Sequence, residues 1–317
     1  MRRRSFLINA AGFTAAVAGG FWLKDNVLWR RPSLTFPALS PWVELEAAGL
    51  PLPVISAKVA GQDILALIDS GAQYSVIDRA FADVLTAKGL MAKTFDMPMV
   101  AYGVGGQAQV GRGTTLTLEM AGLAIDSLRT AILELGPLAQ VQGLGVSLII
   151  GRDILREMAL ELDLKRQRVR MQDPQNWKPS ADMLPLASVK ASGDAIAVDV
   201  SVEGAVVRAV LDTGASSLLS LSEATAQEAG ILDGREEQSG ESLVLGGLST
   251  ARWVRVETVT VGDVLNRNVR LPVFADSNLP NYPDALLGIG AFEGRKLAID
   301  LGRGRLYVEG QLDLTIG

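Results

Sequence analysis

Two aspartates open nearly identical phrases of this chain. Asp69-Ser70-Gly71-Ala72 follows the apolar run Leu65-Ala66-Leu67-Ile68, and Asp212-Thr213-Gly214-Ala215 follows Ala209-Val210-Leu211. A strand of that composition carries the chain inside, and the glycine two positions after each aspartate permits a tight turn that a side chain would obstruct. Each carboxylate is therefore presented at the end of a buried strand, beside backbone N–H groups and a hydroxyl. A lone buried carboxylate is costly, so it must be hydrogen-bonded, paired or protonated. Two carboxylates about 3 Å apart cannot both ionise, and such a pair holds one proton over a wide pH range. One member can then act as base toward a water while the other, protonated, polarises a carbonyl. That chemistry needs no histidine, thiol, metal or organic cofactor.

Composition leaves few other routes. The 317 residues include no cysteine, which removes disulfides, thiolate nucleophiles, Cys-ligated zinc and Fe–S clusters. They include no histidine, which removes Ser-His and Cys-His catalysis and the His-based zinc hydrolases. Any hydrolysis near neutral pH would fall to carboxylates or a lysine. With 30 basic against 35 acidic residues, net −5, no basic surplus is available for nucleic acid. A hydrophobic share of 48% against 21% charged supplies a sizeable core and excludes disorder.

The elements that must position the aspartates come in two copies. Gly61 pairs with Gly204, Asp69 with Asp212 and Gly71 with Gly214, all at an offset of 143 positions. Downstream, Leu148-Ile149-Ile150-Gly151 returns as Ala285-Leu286-Leu287-Gly288. Leu162-Asp163-Leu164, closing on Arg168-Val169, returns as Ile299-Asp300-Leu301, closing on Arg305-Leu306. Matched blocks in the same order indicate one unit of roughly 110–130 residues present twice. Alternation in Thr115-Leu116-Thr117-Leu118-Glu119-Met120 and in Val254-Arg255-Val256-Glu257-Thr258-Val259 marks half-buried strands. Each copy has one short helical stretch, opened by Asp78 and ended by Gly89 in the first, bracketed by Ser222 and Gly230 in the second. The expected fold is all-β with a few short helices. Residues 35–175 form the N-terminal lobe and 176–317 the C-terminal lobe, joined by a polar, proline-containing linker at 173–180, with Pro185 soon after.

On these motifs the chain resembles the aspartic peptidases of retropepsin type, present as two fused copies as in the bilobal pepsin-like enzymes. Both Asp-Ser/Thr-Gly-Ala segments match the family's catalytic motif, and Ile149-Ile150-Gly151-Arg152-Asp153 matches its downstream segment, with Leu286-Leu287-Gly288 a looser second copy. The match covers nearly all of residues 50–310. The resemblance implies a bilobal acid-protease fold with two lobes related by a pseudo-twofold axis, an apolar-apolar-Gly strand passing behind each aspartate turn. It implies Asp69 and Asp212 as the catalytic pair, with Ser70 and Thr213 exchanging hydroxyl hydrogen bonds across the axis on turns completed by Gly71 and Gly214. It further implies a polypeptide substrate, no metal or cofactor, and a site complete without a second subunit. Tyr102-Gly103-Val104-Gly105-Gly106 and Leu245-Gly246-Gly247-Leu248 stand where the family has flap hairpins that close over substrate. Gly105 and Gly246 would let the flaps approach, and Tyr102 would lie over the dyad; in the second copy the alternative is that the glycines serve a turn with no gating role. A dinucleotide loop at Gly103-x-Gly105-x-x-Ala108 fails on context, since no helix start follows and no parallel βαβ pattern surrounds it.

Other residues read as structural. Asp163 and Asp300 repeat but sit in closing strand-turn regions. Asp153 has Gly290 as its counterpart, which argues against a symmetric catalytic role and for a local salt bridge with Arg152 or a neighbouring strand. The five tryptophans and four tyrosines form no stacking array and read as core or cleft-wall packing. At the N-terminus, Arg3-Arg4-Ser5-Phe6-Leu7 resembles a twin-arginine export signal, residues 5–23 are uncharged, and Ala16-Val17-Ala18 offers a cleavage site. The alternative is that residues 5–23 stay as a single membrane anchor. Residues 1–34 are then a signal or anchor plus linker, and the folded part is periplasmic or otherwise exported. The expected function is an exported aspartic endopeptidase. The rivals are a non-catalytic peptide-binding module on a protease-like fold and a structural envelope protein; two intact aspartates favour catalysis.

Overall fold

The computed structural model describes residues 31–47, 51–92, 94–102, 108–140, 144–244, 247–276 and 283–310. Each copy of the repeat closes six strands into a barrel. In the first, the ring runs Val54–Val59, Gln62–Ile68, Val146–Ile150, Val76–Asp78, Leu123–Leu133, Ala108–Met120 and back to Val54–Val59. In the second it runs Ile196–Val202, Ala205–Asp212, Ala285–Gly288, Leu219–Ser222, Val264–Phe274, Gly247–Val261 and back. The expected bilobal, mostly β fold is the one found. The repeated glycines at 61 and 204 are explained by the tight hairpins they close: Ala60 and Gly61 both have positive φ, as do Glu203 and Gly204, the backbone that a two-residue turn between twisted strands requires.

The strand that bears each aspartate is locked by a crossing. Val146–Ile150 lies between Gln62–Ile68, to which it runs parallel, and Val76–Asp78, to which it runs antiparallel. The chain from Asp69 to Ser75 must therefore pass over the end of Val146–Ile150. Buried neighbours on both edges and both faces explain the unbroken apolar run, in which Leu148, Ile149 and Ile150 are wholly buried. Where the two segments cross, a Cβ on Gly151 would lie 2.6 Å from the carbonyl carbon of Tyr74. In the second copy a Cβ on Gly288 would lie 2.0 Å from the carbonyl oxygen of Ser217. The repeated apolar-Gly motif is thus a close backbone approach.

A third sheet joins the lobes. Its six strands run Met183–Leu186, Arg305–Glu309, Lys296–Asp300, Ala159–Asp163, Arg168–Gln172 and Val43–Glu44. Three come from each copy, and the copies meet at the antiparallel pair Ala159–Asp163 and Lys296–Asp300, where Leu160 faces Ile299 and Leu162 faces Leu297. All four side chains are buried, and one apolar cluster runs through both barrels and this sheet. On the opposite face, Asp163 accepts from the Arg166 backbone N–H at 3.0 Å and pairs with Arg166 and Arg168, while Asp300 does the same with Arg303. Both repeated aspartates are structural.

Helices end as expected: Asp78 accepts from Ala80 and Phe81 N–H at the start of Arg79–Ala87, and Ser222 accepts from Thr225 N–H at the start of Glu223–Glu228. Three details differ from expectation. Pro185 belongs to the strand Met183–Leu186, tolerated because that strand is a sheet edge. The strand Ser33–Thr35 pairs with Leu123–Leu133, so two residues assigned from sequence to the N-terminal segment belong to the first barrel's sheet. Trp42 and Trp177 line no cleft wall: they pack on the outer face of the interlobe sheet, Trp42 against the guanidinium groups of Arg168 and Arg170 at 4.5 and 4.6 Å, and Trp177 edge-on to Tyr307 while donating to Glu161 at 2.8 Å. Among the described residues no helix is long and apolar enough to cross a membrane, and the candidate signal at residues 5–23 lies outside them.

The crossing gives a direct test. Gly288→Ala places a methyl group against backbone that cannot step aside, so we expect a stability loss of about 3 kcal/mol or more in urea denaturation. The exposed Val206→Thr change should stay within about 0.5 kcal/mol of the parent. A Gly288→Ala midpoint equal to that of the parent would contradict the close crossing.

Candidate active site

The two aspartate turns meet at the centre of the molecule and hold each other by a reciprocal exchange. Ser70 N–H donates to Thr213 Oγ1 at 2.9 Å, and Thr213 N–H donates to Ser70 Oγ at 3.0 Å. Each hydroxyl in turn donates to the strand opposite, Ser70 Oγ to the Leu211 carbonyl at 2.9 Å and Thr213 Oγ1 to the Ile68 carbonyl at 2.7 Å. Both hydroxyls are buried, and each uses one donor and one acceptor across the axis, which leaves no orphaned group. Truncating either hydroxyl would strand a buried N–H and a buried carbonyl at about 1–3 kcal/mol each.

Behind this brace stand the carboxylates. Asp69 and Asp212 are both fully buried, and their carboxyl groups lie within hydrogen-bonding reach of each other. Asp69 Oδ1 accepts from Gly71 N–H at 2.8 Å and Ala72 N–H at 3.1 Å, whereas Asp212 Oδ1 accepts from Gly214 N–H at 2.9 Å. The second oxygen of each, Oδ2, is buried and receives no hydrogen bond from a donor among the described residues. Closeness is also why Gly71 and Gly214 recur: a Cβ on Gly71 would lie 2.6 Å from Cγ of Asp212, and a Cβ on Gly214 would lie 2.6 Å from Cγ of Asp69. Any side chain there would drive the carboxylates apart.

Burial sets the proton affinity of the pair. It pushes Asp69 up to about 6, against the pull of its contact with Asp212, the two turn N–H groups and the positive charge of Arg152. Asp212 is raised well above the ordinary carboxylate range, by burial and then by the negative charge of Asp69. A pair in this state gives up its two protons in separate steps, the first near 6 and the second at higher pH.

Residues named from sequence fall into three groups. Asp69, Ser70, Gly71, Asp212, Thr213 and Gly214 come together as one constellation. Of the flap residues, Tyr102 ends the strand Phe95–Tyr102 and Gly247 opens the strand Gly247–Val261; Gly103, Gly105, Gly106 and Gly246 lie outside the described residues. Asp153 is structural: it accepts from Ser75 Oγ at 2.8 Å and from Ile154 N–H at 3.1 Å, while the Arg152 guanidinium spends its hydrogen bonds on carbonyls. Arg152 is the residue that sequence reasoning passed over. Its signal was available in the comparison of copies, where Ile289 occupies the equivalent place.

The raised proton affinities determine how stability varies with pH. Unfolded aspartates ionise near 3.8, and the folded pair retains protons that the unfolded chain releases. The stabilising contribution of both groups is therefore full below about pH 4; the share of Asp69 is lost as pH rises through about 6, and that of Asp212, raised further by burial and by the charge of Asp69, is lost only at higher pH. Asp212→Asn removes one of the two titrating groups. Its stability relative to the parent should be unchanged near pH 4 and should grow by roughly 1 kcal/mol per pH unit above that, measured by denaturant titration at several pH values. A difference that does not grow with pH would contradict the shared burial of the two groups.

Among curated proteins none matches the chain. Among solved structures, basic 7S globulin from soybean aligns over 86% of this chain and 95% of its own at 11% identity, with a TM-score of 0.47. Conglutin gamma, a basic 7S globulin from lupine seeds, aligns over 88% and 95% at 12% identity, TM-score 0.46. A retropepsin-like aspartic protease from Rickettsia conorii aligns over 42% and 95% at 20% identity, TM-score 0.31. The family model for aspartyl proteases matches twice, at residues 55–154 and 198–291. Each match contains one aspartate turn and its crossing strand, and together they span more than half of the sequence; the chain belongs to the aspartyl protease family, as two copies in one polypeptide.

Proposed function

We propose that this protein is an aspartic endopeptidase that hydrolyses an extended polypeptide with water activated between Asp69 and Asp212. The observation that carries the reading is the pair of fully buried carboxylates whose Oδ2 oxygens have no donor among the described residues. Such oxygens suit a water held between them. In the first step the water oxygen bonds to the scissile carbonyl carbon as its proton passes to the ionised aspartate, while the protonated aspartate gives its proton to the carbonyl oxygen. The product is a neutral diol. In the second step a diol hydroxyl returns its proton to one aspartate, the other protonates the amide nitrogen, and the C–N bond breaks.

Substrate would lie between the lobes. Each barrel sheet ends on a hairpin strand, Phe95–Tyr102 in one lobe and Glu237–Val244 in the other, and these edges can offer backbone hydrogen bonds to an extended peptide. We assign the flap role to these two hairpins. No second subunit is needed in this reading, because one chain supplies both turns.

Asp69→Asn and Asp212→Asn should each abolish cleavage of a mixed peptide library read by mass spectrometry, with the fold retained. The double variant should lose scarcely more than either single one, as for groups acting as a unit. Substantial turnover by either folded variant would refute the mechanism, and a wild type inactive at every pH would leave the peptide-binding module in its place.

We further propose that the protein is exported by a twin-arginine route. Changing Arg3 and Arg4 together to Lys should hold a tagged protein in the cytoplasm, as judged by fractionation. Normal export of that variant would point instead to a general signal or an anchor at residues 5–23.

A further inference from the structure

The dyad is symmetric in its aspartates but not in its surroundings. Arg152 is more than nine-tenths buried behind the first turn. Its Nη1 donates to the Ser70 carbonyl at 2.7 Å and to the Gly71 carbonyl at 2.9 Å, and its Nε donates to the Gly193 carbonyl in the second copy at 2.8 Å. The Ser70 carbonyl belongs to the same peptide group as Gly71 N–H, and the Gly71 carbonyl to the same group as Ala72 N–H. Those two N–H groups are the ones that donate to Asp69 Oδ1. The guanidinium therefore polarises, through two peptide units, both hydrogen bonds that stabilise a negative Asp69. In the second copy Ile289 replaces the arginine, Gly214 N–H donates to Asp212, and Ala215 N–H turns instead to the Asp212 main-chain carbonyl at 3.3 Å.

We infer that Arg152 breaks the symmetry of the dyad, holding Asp69 as the carboxylate and leaving the shared proton on Asp212. In the peptidase reading, on which the catalytic roles rest, Asp69 is then the base that takes the proton of water and Asp212 the acid that polarises the substrate carbonyl. Arg152 is a positioning residue that acts through the backbone of the turn. The charged groups around it are Asp69, Asp212, Asp194 and Asp153, with Asp69 foremost, and Asp194 is itself paired with Arg156 at 2.8 Å. Burial draws the Arg152 proton affinity down and those carboxylates draw it back up, and an arginine stays protonated throughout the range in which the dyad titrates.

The test follows the carboxyl groups themselves, so it needs no turnover. Full-length protein carrying aspartate labelled with carbon-13 at the side-chain carboxyl is titrated by NMR, with the two signals assigned from Asp69→Asn and Asp212→Asn. Asp69 should be the first of the pair to ionise. Arg152→Met should move its midpoint upward by about one pH unit, and Arg152→Lys, which keeps the charge but not the planar fork, should move it less. The acid limb of the kcat/KM profile should move with it. If Arg152→Met fails to fold, Arg152→Gln, which keeps a donor for the same carbonyls without the charge, carries the same expectation. Two results would overturn the inference: Asp212 ionising first, or variants that lower thermal stability while leaving the Asp69 midpoint in place. Loss of turnover with the titration as described would count against the peptidase reading alone.

Discussion

The exchange of hydrogen bonds between Ser70 and Thr213 is the interaction on which the rest of the molecule depends. Each backbone N–H at the base of an aspartate turn finds its acceptor only in the hydroxyl of the other copy. Neither turn is complete without its counterpart. The barrels, the crossings at Gly151 and Gly288 and the interlobe sheet can all be seen as the framework that brings two hydroxyls and two amides to within 3.0 Å of each other. Because every donor and acceptor in the exchange is buried, a displacement that broke one bond would leave groups unsatisfied on both sides.

This brace also explains how two carboxylates can be confined where neither charge is welcome. Burial and mutual repulsion oppose ionisation of the pair, and the opposition is met locally by N–H groups of the turns and by the positive charge of Arg152 behind the first turn. The stability lost here is recovered elsewhere, in the apolar cluster that continues from one barrel through the interlobe sheet to the other. A buried site of raised proton affinity is thus held at the meeting point of the two lobes, where the apolar cluster surrounds it on both sides.

Much of this was legible in the sequence, and the parts that were not share a cause. Repetition of Asp-Ser/Thr-Gly-Ala and of the apolar-Gly segment disclosed two copies, their strands and the dyad, because these features are written in local patterns of two to five residues. Asp78 and Ser222 were legible as helix caps for the same reason. The role of Arg152 was not, since it depends on two carbonyls some eighty positions upstream and on Gly193 in the other copy. Nor was the position of Trp42 and Trp177, because nothing in their neighbours along the chain announces a stack on Arg168 and Arg170 or a hydrogen bond to Glu161. Pro185 misled in the opposite way. Proline signals a break in strand pairing, but the rule lapses on a sheet edge, and edge position is decided by topology.

The interlobe sheet has a consequence for how the site is assembled. Three strands from each copy are paired within a single polypeptide, so the two aspartate turns face each other at an effective concentration fixed by folding and independent of how many molecules are present. Dilution, which separates the halves of a site built from two chains, has no purchase on this one. Covalent union also frees the halves from having to be identical. A change such as arginine on one side and isoleucine on the other is then made once, without its mirror image being imposed on the opposite half.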